Sequence, residues 1–272
     1  MMFTVVTDSS VYFTRREAES LGVRVLPLLY SVSGRHFGEG YVDENGRFLE
    51  LIDQGKEMHT AQVSTSTFLS TFSELRRKGQ DILCLTMSSR LSGVYSGAMM
   101  TARDMDPEHI IVVDSLSIAG GFKFLAEKAC EMAKQNYTLQ QAADEIESLR
   151  ERIGIVFSVN DMGALRRSGR LGFVRQSATT ILNLRPILLC KYGAVVYDAV
   201  ARGTHAQIRA LAQAVPDGAK RIEVHYVQNR QSAEMIIEEL KKRFSCRFKI
   251  SSVGPVLAIH LGLSAIGISW QF

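Results

Sequence analysis

The stretch ILCLTMSSRLSG, residues 82–93, joins a short apolar run to a turn rich in hydroxyl groups. The small residues of 94–102 follow it and suit a closely packed helix. Residues 3–10 and 110–117 repeat the same order, an apolar run followed by a hydroxyl-rich turn, and each leads into a helical pattern. Strands that alternate with helices predict a parallel sheet joined by crossover connections. The N-terminal half is therefore predicted to be doubly wound, with helices on both faces of a mostly parallel sheet.

The pattern changes after residue 152. Strand-like runs then dominate, at residues 153–159, 194–200, 221–227 and 248–252. These runs predict an α/β fold with two domains. The first, residues 1–152, carries the parallel sheet, and the second, residues 153–272, carries a mixed or antiparallel sheet.

Local signals mark several helix boundaries. Thr14 with Glu17, and Thr138 with Gln141, form predicted capping boxes, and Gly22 stands where the first helix would stop. An insertion at residues 60–79 contains one apolar helical face, and we expect it to pack on the second domain rather than beside its sequence neighbours. That face consists of Phe68, Phe72 and Leu75.

The C-terminal segment, residues 253–272, contains no Asp, Glu, Lys or Arg and is long enough to span a bilayer. Gly254, Pro255 and Gly262 divide it into short runs, such as residues 256–259 and 265–268. Two buried strands around a tight glycine loop fit this pattern better than a transmembrane helix.

Composition indicates an ordinary globular protein. The chain has 272 residues, of which 46% are apolar and 22% charged, and a net charge of +4 that is too small and too dispersed for a nucleic-acid-binding surface. Its four cysteines are scattered and form no CxxC pair, which indicates reduced thiols in a cytoplasmic protein. The six histidines have no metal-ligand spacing to one another or to cysteine, so no metal site is predicted.

The motifs of several enzyme classes are absent from the sequence. No GxxxxGK[ST] loop occurs, no GxGxxG follows the first strand, and no GxSxG elbow is present. The chain is therefore not expected to bind ATP or NAD in a standard loop. Serine hydrolysis is equally poorly supported.

Hydroxyl groups at the ends of three parallel strands predict a polar pocket, because ligands bind beyond the carboxyl ends of such strands. Helix N-termini and Ser or Thr side chains suit a carboxylate or phosphate oxygen, although each residue could simply cap its helix. Arg170 lies beside Gly169 and Gly172 in a basic cluster. It either belongs to a solvated face or is aimed by a turn at an anion.

Seven short strings occur in order along the chain, and they are Thr7 to Ser10, Thr60 to Ser64, Ser88 to Tyr95, Asp114-Ser115, Gly169 to Leu171, Leu184 to Leu188 and Val253 to His260. Together they resemble the DegV family over essentially the whole chain.

The resemblance implies a fatty-acid-binding protein with the ligand between two domains and no further cofactor. It also implies that the chain is the acyl-binding subunit of a fatty acid kinase, whose separate ATP-binding subunit phosphorylates the carboxylate. Carried over by position, Thr60 and Ser92 would contact the carboxylate, and Arg170 and His260 would act during phosphoryl transfer. Three more residues are implied at the fatty-acid site, namely Ala61, Gly93 and Glu39.

The chain departs from the family pattern at two places. Ala61 and Val63 replace the usual Ser and Pro, and Leu261 and Leu263 replace Thr and Pro after His260. Two hydroxyl groups are thus missing from the expected head-group network. The alternative to a lipid-binding subunit is an enzyme acting alone, either a Ser92/His260 acyl hydrolase or a phosphotransfer enzyme that uses His260 on a carbonyl compound.

Overall fold

A computed structural model describes residues 2–54, 57–160, 162–171 and 183–272. Its strands are Phe3–Asp8 (β1), Arg24–Leu26 (β2), Leu28–Val32 (β3), Arg35–Glu39 (β4), Met58–Ala61 (β5), Asp81–Thr86 (β6), Ile110–Asp114 (β7), Ile153–Ser158 (β8), Leu184–Lys191 (β9), Ala194–Arg202 (β10), Arg221–Tyr226 (β11), Arg247–Ser252 (β12) and Ile266–Gln271 (β13). Its α-helices are Arg15–Leu21 (α1), Phe48–Gln54 (α2), Thr65–Arg77 (α3), Val94–Met105 (α4), Ala119–Lys134 (α5), Leu139–Leu149 (α6), Gly163–Arg167 (α7), Thr204–Ala214 (α8), Arg230–Lys241 (α9) and Pro255–Leu261 (α10).

The N-terminal half contains the predicted parallel sheet. Its strand order is β2-β1-β6-β7, and every neighbouring pair runs parallel. Helices α3 and α4 pack beside each other, as do α5 and α6, and both pairs contact the sheet. Apolar residues of β1 and β6, including Val6, Ile82 and Leu85, are fully buried in the core between these layers.

The second half carries a mixed sheet of order β10-β9-β8-β13-β11-β12. Only the β11–β12 pair is parallel among these described strands. Together the two sheets confirm the predicted α/β fold with two domains. The sheet begins at Ile153, next to the predicted boundary at residue 152, and that boundary stays a prediction.

A small antiparallel sheet, β4-β3-β5, was not anticipated from the sequence. Strands β3 and β4 are joined by Ser33 and Gly34, whose φ angles of +48° and +77° are those of a tight hairpin turn. Glu39 is the last residue of β4, and Thr60 lies near the end of β5, the third strand of this sheet.

Helix α5 lies between the two large sheets. It contacts β1 on one side and β8, β11 and β13 on the other, and most of its residues are buried. A Cβ atom on Gly121 would stand 2.9 Å from Ile153 Cγ2, so the absence of a side chain lets the second sheet approach.

An ionic cluster also joins the two halves across α5. Lys123 is buried and donates to Glu17 Oε2 at 2.9 Å, and Lys249 on β12 donates to the other oxygen of the same carboxylate. Burial opposes ionisation of Glu17, but these two hydrogen bonds outweigh it and lower its pKa to about 2.

The prediction of two strands near the C-terminus is wrong for the first strand. Residues 255–261 form α10, and only β13 follows as a strand after the turn at Gly262. Pro255 occupies the first turn of the helix, where a missing N–H group has no cost, and the Glu39 carboxylate accepts a hydrogen bond from Val256 N. Among the described residues, no helix is both long and apolar enough to cross a membrane.

The predicted insertion is split between two environments. Phe68, Phe72 and Leu75 of α3 are buried in the core of the parallel sheet, where α3 packs on α4 and β6. Thr60, by contrast, contacts α10 of the second half. The helical part therefore packs beside its sequence neighbours, because its apolar face covers β6.

Candidate functional site

The strand order places a crevice between the carboxyl ends of β1 and β6. These strands are adjacent, and their connections lead to opposite sides of the sheet, which is the arrangement at which ligands bind in open α/β sheets. The Asp8 carboxylate joins the two strand ends by accepting hydrogen bonds from Met87 N at 2.8 Å and Ser10 N at 3.1 Å. Burial raises the pKa of Asp8 to about 6.

A cavity extends from this crevice across the face of the second sheet. Its space, including the open mouth, is about 1120 Å³. Most of the wall is apolar, and representative residues are Leu28, Ile118, Ile155, Phe157, Val195 and Leu257. Polar side chains gather where the lining becomes exposed, and these are Thr60, Gln62, Ser92, Arg170 and His260. The cavity thus has a polar mouth and a mainly apolar interior.

Thr60 and His260 meet at the mouth. Thr60 Oγ1 and His260 Nε2 lie 2.8 Å apart in a hydrogen bond that joins β5 to α10. Burial lowers the pKa of His260 to about 4, and the positive charge of Arg170 acts in the same direction. The imidazole is therefore neutral near pH 7.

A turn directs Arg170 towards the loop that precedes α4. Gly169 has a φ of +70°, and Arg170 Nε donates to the carbonyl oxygen of Leu91 at 3.2 Å, while its Nη1 donates to that of Ser168. The guanidinium lies on the exposed side of the mouth. Gly172, which the sequence also assigned to this turn, lies outside the described residues.

Ser92 lines the cavity immediately before α4. Gly93 is the N-cap of this helix and has no side chain, so the first N–H groups, which have no intrahelical acceptors, have no side-chain cap either. Gln62 packs closely on Gly93, where a Cβ atom would overlap its amide. A hydroxyl and a helix N-terminus thus stand together at the mouth, a combination that favours an anionic oxygen.

The structure brings five of the seven predicted site residues to the cavity wall, namely Thr60, Ala61, Ser92, Arg170 and His260. Gly93 lies just outside the lining, at the start of α4. Glu39 also lies outside it, which differs from its predicted place at the fatty acid. Its buried carboxylate instead accepts hydrogen bonds from Ser9 Oγ at 2.7 Å and Val256 N at 2.9 Å. Burial raises the pKa of Glu39 to about 7, with a further contribution from Asp8.

The departures from the family pattern make the mouth more apolar. Ala61 and Leu261 line the cavity at positions where a hydroxyl was expected. Val63 is buried in the core of the parallel sheet, and Leu263 packs on a neighbouring apolar cluster.

The hydroxyl groups at the strand ends fall into two classes. Ser10 and Ser92 line the cavity, and the Ser10 hydroxyl also donates to Asp8 Oδ1. Ser88 Oγ donates to Gly193 O at 2.8 Å, and Ser115 Oγ donates to Ser117 O at 3.2 Å. These two hydroxyls satisfy backbone groups, so they do not contribute to a ligand site.

Sequence reasoning missed several polar residues of the cavity wall, among them Gln62, His225 and Ser269. Gln62 lies within one of the strings that resemble the family, but it was not singled out. His225 and Ser269 lie on β11 and β13, where a polar residue on an otherwise buried strand was the available signal. No group of three or more His, Cys, Asp or Glu residues in the described ranges could hold a metal ion.

Comparison with known proteins agrees with this architecture. The model of the family described as "Uncharacterised protein, DegV family" matches residues 2–272. A DegV domain-containing protein of Halalkalibacterium halodurans is 28% identical over 98% of this chain and 97% of its own length.

Two solved structures extend the comparison. A DegV family protein from Thermus thermophilus is 27% identical to this chain, and the match covers 100% of both chains with a TM-score of 0.88. That protein binds fatty acid. The Fatty Acid Kinase B3 protein of Streptococcus pneumoniae, loaded with linoleic acid, is 19% identical, covers 100% of this chain and 99% of its own, and shares the fold with a TM-score of 0.84. The match of the family model over nearly the whole sequence shows that this chain belongs to the DegV family.

Proposed function

We propose that the chain binds a long-chain fatty acid with its tail in the cavity and its carboxylate at the mouth. The observation that carries this proposal is the division of the cavity into an apolar interior and a mouth that holds Thr60, Ser92 and His260. The fatty acid binding of the Thermus thermophilus relative supports the same ligand class.

The tail supplies most of the affinity. Burial of about fourteen methylenes at about 0.8 kcal/mol each yields roughly 11 kcal/mol before the costs of association are subtracted. The head group then needs orientation more than additional binding energy.

The groups at the mouth suit a carboxylate that must react. The Ser92 hydroxyl and the first N–H groups of α4 are neutral donors, and the Thr60 hydroxyl is a third donor when His260 Nε2–H donates to Thr60 Oγ1. His260 is uncharged near pH 7. A tight ion pair would stabilise the carboxylate in its ground state and weaken it as a nucleophile. Neutral donors hold the oxygens with less of that penalty.

The proposed reaction is phosphorylation by a separate ATP-binding subunit. A carboxylate oxygen attacks the γ-phosphorus of ATP, the bond from that phosphorus to the β–γ bridging oxygen breaks, and ADP leaves while acyl phosphate forms. The carboxylate is already ionised, so no proton has to be removed. Arg170, on the exposed side of the mouth, would stabilise charge on the transferred phosphoryl group. This part of the proposal rests on the family resemblance and on the accessibility of the mouth.

Extraction of lipid from the purified protein tests the binding step. Wild type is expected to carry a long-chain fatty acid that solvent extraction and mass spectrometry identify, and Ser92→Ala is expected to retain less of it. Ser89→Ala is the matched control, because Ser89 is exposed in the same loop and does not line the cavity. Equal retention in wild type and Ser92→Ala would remove Ser92 from the head-group site.

A second experiment tests the role of Arg170. Arg170→Ala is expected to bind fatty acid normally and to form less acyl phosphate when mixed with ATP and a candidate kinase subunit. Arg167→Ala controls for a general loss of positive charge in this segment. Weakened lipid binding with normal turnover would contradict the assignment.

The stand-alone hydrolase requires a base beside Ser92. The hydrogen bond of His260 is instead made to Thr60, and the lowered pKa of His260 makes it a weak base. Ester hydrolysis by the purified chain, abolished in both Ser92→Ala and His260→Ala, would favour the hydrolase over the lipid-binding subunit.

A further inference from the structure

Two polar residues stand in the buried part of the cavity wall, away from its exposed mouth. His225 on β11 is 6% exposed and Ser269 on β13 is fully buried, and both line the cavity. Residue His225 pairs with Gly267, and Ser269 pairs with Glu223, so the two side chains lie on the same face of the sheet. Both therefore face the cavity and α5 from neighbouring strands.

The polar atoms of this pair have no partner within the part of the chain that the structure describes. Nδ1 and Nε2 of His225 and Oγ of Ser269 make no hydrogen bond to a described residue. By contrast, Ser251 on the adjacent strand, opposite His225, donates to Glu223 Oε1 at 2.5 Å. Buried polar groups without partners are costly. Because both side chains line the cavity, a polar group of a ligand there would supply the missing hydrogen bonds.

The start of α5 adds donors at the same place. Ile118 and Ala119 line the cavity, and the helix begins without a side-chain cap. Gly120 lies directly against the pair, since a Cβ atom there would overlap the His225 ring and stand 2.9 Å from Ser269 Cβ. The positive end of the helix therefore faces the region between the two side chains.

The chemistry of these groups selects an oxygen that both donates and accepts. Burial lowers the pKa of His225 to about 4, so its neutral ring has one N–H donor and one acceptor nitrogen. Ser269 likewise donates and accepts. A methylene chain satisfies none of these groups, a keto oxygen only accepts, and a hydroxyl both donates and accepts.

We propose that the cavity accommodates a long-chain fatty acid that carries a hydroxyl group along its chain, and that His225 and Ser269 bind this hydroxyl. This inference rests on the proposed fatty-acid binding and specifies the substrate class. A plain acyl chain would enter the same cavity but would leave the buried pair without partners.

Competitive displacement of a fluorescent fatty acid from the full-length, delipidated chain tests the inference. The probes are octadecanoic acid and its hydroxylated isomers, with the hydroxyl group placed from the middle of the chain to its far end. At the matching position, the hydroxylated acid is expected to bind about tenfold more tightly than octadecanoic acid, as one or two additional buried hydrogen bonds would give.

Variants then assign the preference to the pair. Ser269→Ala and His225→Leu are each expected to abolish most of this preference, measured within each variant as the ratio of its affinities for the hydroxylated acid and for octadecanoic acid. Ile155→Val is the matched control, because Ile155 lines the same wall without a polar atom. Thermal unfolding of each variant shows whether it is folded.

The outcomes separate this inference from the proposed function. If octadecanoic acid binds but no hydroxylated isomer binds more tightly, the hydroxyl site is refuted and fatty-acid binding stands. A preference that survives in both folded variants also refutes the assignment. If none of the acids binds, both proposals fail. Should one variant fail to fold, the wild-type comparison and the other variant still decide.

Discussion

Replacement of the buried Glu39 by Gln should change how stability depends on pH. Glu39 is fully buried, and its carboxylate accepts hydrogen bonds from Ser9 Oγ and Val256 N. Burial is the largest cause that raises its pKa from an ordinary 4.5 to about 7, and the nearby carboxyl group of Asp8 adds to it. Glutamine has nearly the same shape, still accepts through its carbonyl oxygen and does not titrate.

The magnitude follows from proton linkage. The carboxyl group binds its proton more tightly in the folded protein, so between about pH 4.5 and about pH 7 folding is accompanied by proton uptake. The contribution of Glu39 to the free energy of unfolding is therefore fully present below about pH 4.5, and it decreases as the pH rises through this window. At about 1.36 kcal/mol per pH unit, the loss attributable to Glu39 is about 3 kcal/mol. Most of it, about 2.5 kcal/mol, falls between about pH 5 and about pH 8.

Urea denaturation of wild type and Glu39→Gln at these two pH values measures the effect. The free energy of unfolding of the variant, relative to wild type, is expected to increase by about 2.5 kcal/mol from the lower to the higher pH. Other titrating groups, including Asp8, are common to both proteins and largely cancel in this difference. Glu145→Gln is the control, because Glu145 is exposed on α6. The reasoning is refuted if the difference between Glu39→Gln and wild type is the same at both pH values or moves in wild type's favour at high pH.

Three further substitutions test the site and the packing around it. Thr60→Val, which removes the hydrogen bond to His260, should weaken fatty-acid binding about tenfold in a displacement assay, and unchanged affinity would show that the hydroxyl is dispensable. Gly154→Ala places a Cβ atom that overlaps Trp270 Cζ2 and Cε2, and it should lower the free energy of unfolding by about 1–3 kcal/mol; a value near zero would mean that the indole can move aside. Phe72→Ala empties a fully buried position away from the cavity and should cost about 3–5 kcal/mol of stability while leaving fatty-acid affinity unchanged, and altered affinity would show that the two regions are coupled.

Features that depend on neighbouring residues could be predicted from the sequence. The Thr14/Glu17 and Thr138/Gln141 capping boxes both form, because their hydrogen bonds span only three residues. The parallel sheet followed from apolar runs that precede helices. The small antiparallel sheet had an equally local signal, the Ser33-Gly34 turn at the end of a run in which alternate residues are buried, and it could have been predicted in the same way.

The site was harder to predict because its parts come from distant segments. The resemblance identified Thr60, Ser92 and His260, but their arrangement depends on α10, which β-branched residues such as Val256 made look like a strand. The Glu39 carboxylate, 217 residues away in sequence, accepts the Val256 N–H group in the first turn of this helix. The helix also carries His260, which contacts Thr60. Glu39, which the resemblance placed at the fatty acid, thus contacts the first turn of the helix that carries His260, a residue that we propose to lie at the carboxylate.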